Sequence, residues 1–371
     1  MAENSAIEWT DATWNPTTGC TRVSDGCRNC YAFQLHDMRH EAHKAGKSVP
    51  AQYAKPFKEL QMFEDRLTAP LSWRKPRRIF VNSMSDLFHK DVPEVFIDRV
   101  FAAMALAEWH TYQILTKRPE RMAEYFSRAE YRTGRIAAAV EGFAAVLPWK
   151  KQRRVGDMAV TSPAGVYEGL MGGWRSPLPK NVWLGTSVEN QDAADKRIPH
   201  LLSVPAAVRF LSCEPLLGEV NLRRYFHHSY RCPAYVPPPR PVSYAGQGEG
   251  CTCPRLHWVI VGGESGPGAR PCRVEWIRSI VDQCRAASVP VFAKQLGGNI
   301  VTRNDMIEDA FNGKDGWPDP HVEHNIHGFR EDHQGADCRV RLVDKKGGDP
   351  AEWPADLRVR QFPEAKGTVP A

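Results

Sequence analysis

The sequence predicts an α/β fold, a parallel (βα)6–7 partial barrel of the TIM type with two loop insertions and a C-terminal extension. Short apolar runs of strand length alternate with helix-like segments along most of the chain. Polar residues follow directly after each apolar run, as they do at the carboxyl ends of parallel strands. At 371 residues, the chain is long enough for one such domain. A doubly wound open sheet is the alternative, because hydrophobic periodicity does not separate the two arrangements.

Seven strands are predicted, the first of them around residues 7–14. The run Trp-Val-Ile-Val at 258–261 is the clearest, because all four residues favour a buried strand. The other five strands are predicted at 79–82, 112–115, 181–185, 207–211 and 289–293.

The helices between these strands are predicted from caps and from apolar spacing. Asp91 is the expected cap of one helix, with Pro93 in its first turn. Phe96, Val100 and Met104 recur every four residues and give that helix one buried face. Further helices are predicted over 119–126, over 190–202 with Asn190 as cap, and over 274–287.

The barrel domain is expected to span residues 1–303, with 304–371 as a polar extension packed on its core. Two insertions interrupt the βα rhythm, at about 130–180 and 223–257. The first carries the basic run 150–154, and the second is rich in Pro, Tyr and Gly.

Composition excludes several classes of protein. With 42% apolar and 25% charged residues, the chain is neither collagen, nor a coiled coil, nor disordered throughout. It has no apolar run of about 18 residues and no secretory signal pattern, so we expect a cytoplasmic protein without membrane contact. Its 10 cysteines are then expected to be thiols or metal ligands rather than disulfides. A net charge of +6 is compatible with a nucleic-acid partner but does not require one.

Polar side chains and glycines gather at the predicted carboxyl ends of the strands. In parallel α/β folds such ends form the functional rim, so the sequence predicts a ligand site there. The candidate residues are Ser83, Ser85, Asp86, Lys117, Arg118, Thr186, Ser187, Glu189, Asn190, Cys213, Glu214, Gly262, Gly263 and Glu264.

The strongest local signal is a C-x6-C-x2-C motif formed by Cys20, Cys27 and Cys30. Three thiols with no obvious fourth ligand suit a 4Fe–4S cluster with one open iron, whereas a cluster that only transfers electrons usually has four protein ligands. A zinc site completed by His36 and His40 is one alternative, and unrelated thiols are another.

With Tyr31 after the third cysteine and a βα series behind it, this motif resembles the radical S-adenosylmethionine superfamily. The usual spacing there is C-x3-C-x2-C, and the first gap is longer here. The whole chain more closely resembles a phage-associated three-cysteine family of unknown function. That resemblance rests on residues 19–32, 83–89, 115–119, 184–190, 212–216, 262–270 and 349–360.

The superfamily resemblance implies that the open iron binds the methionine part of S-adenosylmethionine. One electron, from a partner such as a flavodoxin or ferredoxin, would cleave this cofactor to a 5′-deoxyadenosyl radical that abstracts hydrogen from the substrate. Ser83, Ser85 and Asp86 would accept from the methionine ammonium, and Lys117 or Arg118 would pair with its carboxylate.

The same resemblance implies roles at the later strand ends. Gly262 and Gly263 would let the backbone approach the cofactor, and Glu264 would fix it. Cys213, beside Glu214, would be a hydrogen-atom donor or a further ligand. The ribose hydroxyls would contact Thr186, Ser187, Glu189 and Asn190.

Cys272 and Cys284 are expected to be core or loop thiols. A second cysteine group lies in the 223–257 insertion and could hold a structural zinc. Its candidate ligands are Cys232, Cys251, Cys253, His227, His228 and His257.

Three functions follow from these patterns. The first is a radical enzyme. The cysteine loop also resembles lyases that reverse thymine photoproducts, and this resemblance implies a nucleic-acid substrate and a role in DNA repair. The second is a non-catalytic iron–sulfur or zinc protein that binds nucleic acid through the basic runs 74–78 and 150–154. The third is a zinc-dependent hydrolase at the rim, built on His89, Asp86 and Glu264, although a tight ligand pair such as H-E-x-x-H is missing.

Overall fold

A seven-stranded parallel sheet is the central element of the fold. The computed structural model describes residues 4–146, 180–226, 254–303 and 337–363. Each strand lies beside its neighbour in the βα series, in the order β1 (Ala12–Trp14), β4 (Arg78–Val81), β5 (Thr111–Thr116), β6 (Val182–Ser187), β7 (Val208–Cys213), β8 (Trp258–Gly262) and β10 (Val291–Gln295). This arrangement confirms the predicted class, a partial α/β barrel of the TIM type.

Short strands and helices complete the described chain. The strands are β1 Ala12–Trp14, β2 Thr17–Thr18, β3 Gln61–Met62, β4 Arg78–Val81, β5 Thr111–Thr116, β6 Val182–Ser187, β7 Val208–Cys213, β8 Trp258–Gly262, β9 Cys272–Arg273, β10 Val291–Gln295, β11 Ile300–Arg303 and β12 Asp337–Val340. The helices are α1 Tyr31–Lys44, α2 Glu94–Leu106, α3 Pro119–Phe126, α4 Ala129–Val146, α5 Gln191–Ser203, α6 Arg223–Phe226 and α7 Val274–Ala286.

The chain divides into two units. The first comprises residues 4–23, 30–146, 180–186 and 199–209. Its strands pair in parallel, with Trp14 opposite Val81 and Val81 opposite Ile114. All three side chains are completely buried, as expected for the apolar strands of a parallel sheet. Helix α2 packs against α4 in the same unit.

The second unit comprises residues 24–29, 187–198, 210–226, 254–303 and 337–363. Strand β8 pairs in parallel with β7 and β10, and Trp258 meets Phe292 edge to face. The indole N–H of Trp258 donates to Gln361 O at 2.8 Å, and the amide of Ala293 donates to Val359 O at 2.9 Å. The described end of the chain therefore packs on β8 and β10, while its status as a separate extension stays a prediction.

The predicted element order is confirmed with small shifts at the ends. Asn190 caps α5, because its side-chain oxygen accepts from the amide of Ala193 at 2.9 Å. The predicted cap Asp91 is wrong. Helix α2 begins at Glu94 after Pro93, whose extended ψ of 143° excludes it from the helix, and Asp91 instead accepts from Lys90.

The predicted insertions are described only in part. The first begins as helix α4, and the second begins with the short helix α6. The basic run 150–154 of the first insertion lies outside the described residues. So do five candidate zinc ligands of the second insertion, namely Cys232, Cys251, Cys253, His227 and His228. In the described part of the chain, no helix combines the length and the apolar character that crossing a membrane requires.

Candidate functional site

Three predicted cofactor ligands follow β4 in the first unit, and each has protein partners. Asn15 donates through its side-chain nitrogen to Ser83 Oγ at 3.1 Å. The hydroxyls of Ser85 and Thr17 lie 2.7 Å apart. These bonds join the end of β4 to the segment that follows β1, since the partners are 68 residues apart in sequence. The serines thus order the first strand ends, whether or not they also meet a ligand.

Asp86 is the buried hub of this strand end. One carboxylate oxygen accepts from the hydroxyl of Thr116 at 2.7 Å and from the amide of Phe88 at 3.0 Å. The other accepts from the amide of Lys117 at 3.1 Å and from the guanidinium of Arg118 at 3.0 Å. A carboxylate with four donors is satisfied within the protein, so a ligand ammonium would have to add to these bonds or replace one.

Arg118 links this hub to the cysteine motif. Its Nη1 donates to Cys20 Sγ at 3.7 Å, and its Nη2 donates to both the carbonyl and the hydroxyl of Thr21 at 2.9 Å. Burial lowers the pKa of Arg118, but the charges of Asp86 and Cys20 outweigh it, and the pKa is raised. The guanidinium is therefore a fixed cation beside the first cysteine of the motif.

His89 supports the same loop from the other side. The amide of Asp91 donates to its Nδ1 at 3.3 Å, so Nε2 carries the proton and donates to Thr21 Oγ1 at 2.9 Å. Burial, followed by the charge of Arg118, lowers the pKa of His89 and favours the neutral ring. His89 thus orients Thr21, an arrangement that leaves its Nε2 engaged rather than open for a metal.

The backbone at Gly19, just before Cys20, lies very close to the backbone of Glu59. Gly19 has a φ of +100°, and a Cβ there would lie 2.4 Å from Glu59 O. The amide of Cys20 donates to Phe57 O at 2.9 Å. Cys20 and Cys30 both pack against an apolar cluster formed by Ala32, Phe33, Phe57 and Met84. Two of the three motif thiols therefore share one apolar wall.

His36 and His40, the predicted alternative zinc ligands, bind backbone carbonyls. His36 Nε2 lies 2.9 Å from Lys55 O, and His40 Nδ1 lies 2.8 Å from Tyr53 O. These contacts fasten α1 to the loop that follows it. They give both histidines a structural role without a metal.

Asn82 is a rim residue that the predicted site did not include. It follows β4 directly, its φ is +60°, and its side chain is only 2% exposed. Neither its amide oxygen nor its amide nitrogen has a hydrogen-bond partner within the described ranges. A buried amide without partners costs about 1–3 kcal/mol, so this side chain marks a place for a polar ligand or a bound water. The sequence signal was its position at the strand end.

In the second unit, the segment that carries Cys27 rests on two predicted site residues. A Cβ at Gly26 would lie 3.0 Å from the carboxylate carbon of Glu189, so glycine permits this approach. Asn29 donates to Glu264 at 2.9 Å, and Arg270 donates to Asp25 O at 2.9 Å. Residues 24–29 are thus hydrogen-bonded to the segment that follows β8 and lie close to Glu189, which follows β6.

Both of these glutamates have arginine partners. Arg197 binds Glu189 at 2.7 Å, and Arg270 binds Glu264 through both its Nε and its Nη2. Burial raises the pKa of Glu264, but the hydrogen bonds from Arg270 outweigh it, so the pKa is lowered. Arg270 therefore favours the anionic form of Glu264, the carboxylate that binds Asn29.

The other predicted ribose contacts lie at the end of β6. In the first unit, the hydroxyl of Thr186 donates to Thr116 O at 2.8 Å. In the second unit, the carbonyl of Ser187 accepts from Arg197 at 2.9 Å, and Asn190 uses its side-chain oxygen to cap α5. Local structure therefore accounts for the bonds that these residues make.

Glu214, Gly262 and Gly263 meet at the end of β10. Glu214 accepts from Lys294 at 2.6 Å and from Gln295 at 3.1 Å, and Gln295 also donates to Gly263 O at 2.8 Å. A Cβ at Gly263 would lie 2.2 Å from Leu296 O. The close backbone approach at these glycines is therefore to the neighbouring strand, and an approach to a cofactor stays a prediction.

Cys213, Cys272 and Cys284 are buried thiols. Burial, followed by the charge of Glu189, raises the pKa of Cys213 to about 12. Burial likewise raises the pKa of Cys272 to about 12. A protonated Cys213 retains the hydrogen that a hydrogen-atom donor needs, but it lacks the thiolate that binds metals.

A family of proteins matches residues 4–345 of the chain, and its description is "Protein of unknown function (DUF5131)". The chain belongs to this family. No curated protein matches the chain.

Two solved structures are similar to the chain. A cysteine-to-serine mutant of spore photoproduct lyase has 8% sequence identity and a TM-score of 0.33, covering 93% of this chain and 72% of that one. Spore photoproduct lyase complexed with dinucleoside spore photoproduct has 9% identity and a TM-score of 0.32, covering 89% and 68%.

The three cysteines within eleven residues provide thiol ligands, the kind of donor that binds an iron–sulfur cluster. Across residues 4–146, 180–226, 254–303 and 337–363, no three histidine, cysteine or acidic side chains are grouped closely enough to hold a metal ion. Asn82 supplies the second sign of a binding site, because its buried side-chain amide has no hydrogen-bond partner in the described residues.

Proposed function

We propose that this protein is an iron–sulfur enzyme of the radical S-adenosylmethionine type, with a 4Fe–4S cluster on Cys20, Cys27 and Cys30. The observation that supports this most is the environment of Cys20. Its sulfur lies beside the Arg118 guanidinium and shares an apolar wall with Cys30, as an anionic cluster half-shielded from water requires.

A bound cluster of this kind would supply one electron for reductive cleavage of S-adenosylmethionine, and the resulting organic radical would take a hydrogen from the substrate. The residues of the chain would bind and orient the cofactor. The apolar cluster of Ala32, Phe33, Phe57 and Met84 would keep water from the sulfurs of Cys20 and Cys30.

We propose that the cofactor is received by the strand ends named from the sequence. Ser83, Ser85 and Asp86 already bind protein groups, so Asn82 is the side chain at β4 with both polar atoms still to be satisfied. Lys117 remains the proposed partner of the cofactor carboxylate, because Arg118 is engaged by Cys20, Thr21 and Asp86.

The same proposal includes a nucleic-acid substrate, a role in DNA repair and an electron donor of the flavodoxin or ferredoxin kind. It also includes a cytoplasmic location and phage association. The position of the basic run 74–78 bears on the substrate. Arg78 begins β4, whereas Ser83 follows its other end. Nucleic acid that reached the cysteine motif would therefore need cations other than this run, such as the strand-end Lys117.

The test begins with anaerobic reconstitution using iron and sulfide. We expect about four irons per chain, as a 4Fe–4S cluster requires, and release of 5′-deoxyadenosine on addition of dithionite and S-adenosylmethionine. Cys20→Ala, Cys27→Ala and Cys30→Ala should each lose full iron occupancy and this product. The matched control is Cys284→Ala, which removes a buried thiol from helix α7 and should retain both.

Unchanged iron content in all three motif variants would refute the ligand assignment. Iron binding without cofactor cleavage would favour the second function, a non-catalytic iron–sulfur protein that binds nucleic acid. Zinc in place of iron would favour a zinc protein instead.

A further inference from the structure

Arg118 is a largely buried cation, and both of its terminal guanidinium nitrogens bond to the start of the cysteine motif or to Asp86. Its side chain is 13% exposed. Nη1 is shared between Cys20 Sγ at 3.7 Å and Asp86 at 3.0 Å, and Nη2 is shared between the carbonyl and the hydroxyl of Thr21. The guanidinium therefore spans a thiol, a carbonyl, a hydroxyl and a carboxylate at once.

The orientation of this side chain is fixed by other residues. Thr116 donates to Asp86 at 2.7 Å and accepts from the amide of Arg118 at 2.9 Å. Asp86 is in turn held by the amides of Phe88 and Lys117. Turning Arg118 outward would leave the buried Asp86 carboxylate without its cation, which is strongly unfavourable. Arg118 is therefore committed to the cysteine loop.

We propose that Arg118 is the positioning residue of Cys20, and that its N–H donation to the sulfur sets the reduction potential of the cluster bound there. This inference rests on the proposed function. It replaces the role that the sequence suggested for Arg118, a partner of the cofactor carboxylate.

The direction of the effect follows from charge. A cluster gains one negative charge when it takes up an electron, and a cation or an N–H donor at a ligand sulfur stabilises the reduced form more than the oxidised form. Arg118 thus raises the potential and makes reduction by an electron donor easier. By fixing the carbonyl of Thr21 it also holds the backbone that follows Cys20.

The experiment compares Arg118→Lys and Arg118→Met with the wild type. Lysine keeps the charge beside Asp86 but cannot span four partners, whereas methionine removes both charge and donors. The matched control is Arg121→Met in α3, the helix that begins directly after Arg118, because Arg121 donates to the carbonyls of His89 and Val92 and not to Cys20 or Thr21.

Two quantities are measured on the full chain. Amide hydrogen exchange before reconstitution reports whether residues 19–23 are held, and the midpoint potential of the reconstituted cluster, with its iron content, reports on the sulfur. We expect faster exchange of residues 19–23 in both Arg118 variants. We expect a more negative potential in Arg118→Met, partial restoration in Arg118→Lys, and iron affinity weakened on the order of 10-fold or more.

Exchange that matches the wild type in both Arg118 variants would overturn the positioning role. An unchanged potential in both would overturn the redox role, and a shift of equal size in Arg121→Met would show that it is not specific to Arg118. If the wild type binds no iron, the proposed function and the redox role fail together, while the exchange of residues 19–23 still decides the positioning role.

Discussion

Asn82 bears two unfavourable features at one residue. Its φ of +60° lies in the left-handed region, which asparagine adopts more readily than most residues but less readily than glycine, and its side-chain amide is buried without hydrogen-bond partners in the described residues. Residues of this kind are typical of binding sites, where strain and unsatisfied groups are retained for a ligand.

Asn82→Gly separates stability from binding. Glycine relieves the backbone strain and removes the unsatisfied amide, so the free energy of unfolding should stay equal or rise by about 1 kcal/mol, while cofactor binding weakens. Denaturant unfolding and equilibrium binding of S-adenosylmethionine measure the two effects. The control is Ser288→Gly, an exposed residue with a φ of +52°, which relieves strain alone. A marked loss of stability in Asn82→Gly would instead show that its side chain is a structural element.

At the scale of elements, a buried ionic network joins three helices of the first unit. Asp98 of α2 is 2% exposed and accepts from Tyr125 of α3 at 2.7 Å and from Arg135 of α4 at 2.6 Å. Arg132 of α4 lies 3.6 Å from the same carboxylate and stacks on the Tyr125 ring. The carboxylate thus attaches α4, which lies in the predicted insertion, to the regular βα series.

Asp98→Ala should lower the free energy of unfolding by about 3 kcal/mol, because Tyr125 and Arg135 lose their common acceptor, whereas Arg132 retains Glu94. Urea unfolding at neutral pH measures the change, and Asp98→Asn provides a milder variant if the alanine protein does not fold. Glu64→Ala is the comparison, since Glu64 pairs on the surface with Arg99, the next residue of α2, and should cost at most about 1 kcal/mol. Equal losses in Asp98→Ala and Glu64→Ala would show that the network does not hold the helices.

At the scale of the whole molecule, the order of the central strands was predictable because the apolar strands of that sheet and the helices between them have local patterns. The apolar run at 258–261 and the helix Pro119–Phe126 are examples. Strands β2 and β3 have two residues each and carry no such pattern. Asp91 resembled a cap by residue type, but the backbone of Pro93 decided where α2 begins.

The placement of several candidate residues at strand ends was predictable, whereas their hydrogen-bond partners were not. Ser83, Ser85 and Asp86 follow a strand, which a local pattern shows. Their partners do not follow from local pattern, since Asn15 and Thr17 lie 68 residues away and Arg118 lies 32 residues from Asp86. Only the folded chain shows that Arg118 donates to Cys20 and that the side-chain amide of Asn82 has no hydrogen-bond partner in the described part.

The stability of the molecule should also depend on pH through His110. The side chain of His110 is 1% exposed, and its Nε2 lies 3.1 Å from Pro70 O. Burial is the largest cause that lowers the pKa of His110, from 6.5 to about 4. Between these pH values the unfolded chain binds a proton that the folded chain does not, so the free energy of unfolding falls as the pH falls. The full effect is about 3 kcal/mol at pH 4, from the shift of the pKa.

His110→Gln removes this titration and retains a donor for Pro70 O, so its free energy of unfolding should fall less steeply than that of the wild type between pH 6.5 and pH 4. Urea unfolding at a series of pH values gives both slopes. His43→Gln, at an exposed position of α1, should leave the wild-type slope unchanged. Parallel slopes for wild type and His110→Gln would mean that His110 takes up its proton in the folded protein as readily as in the unfolded chain, and that other buried groups govern the acid sensitivity.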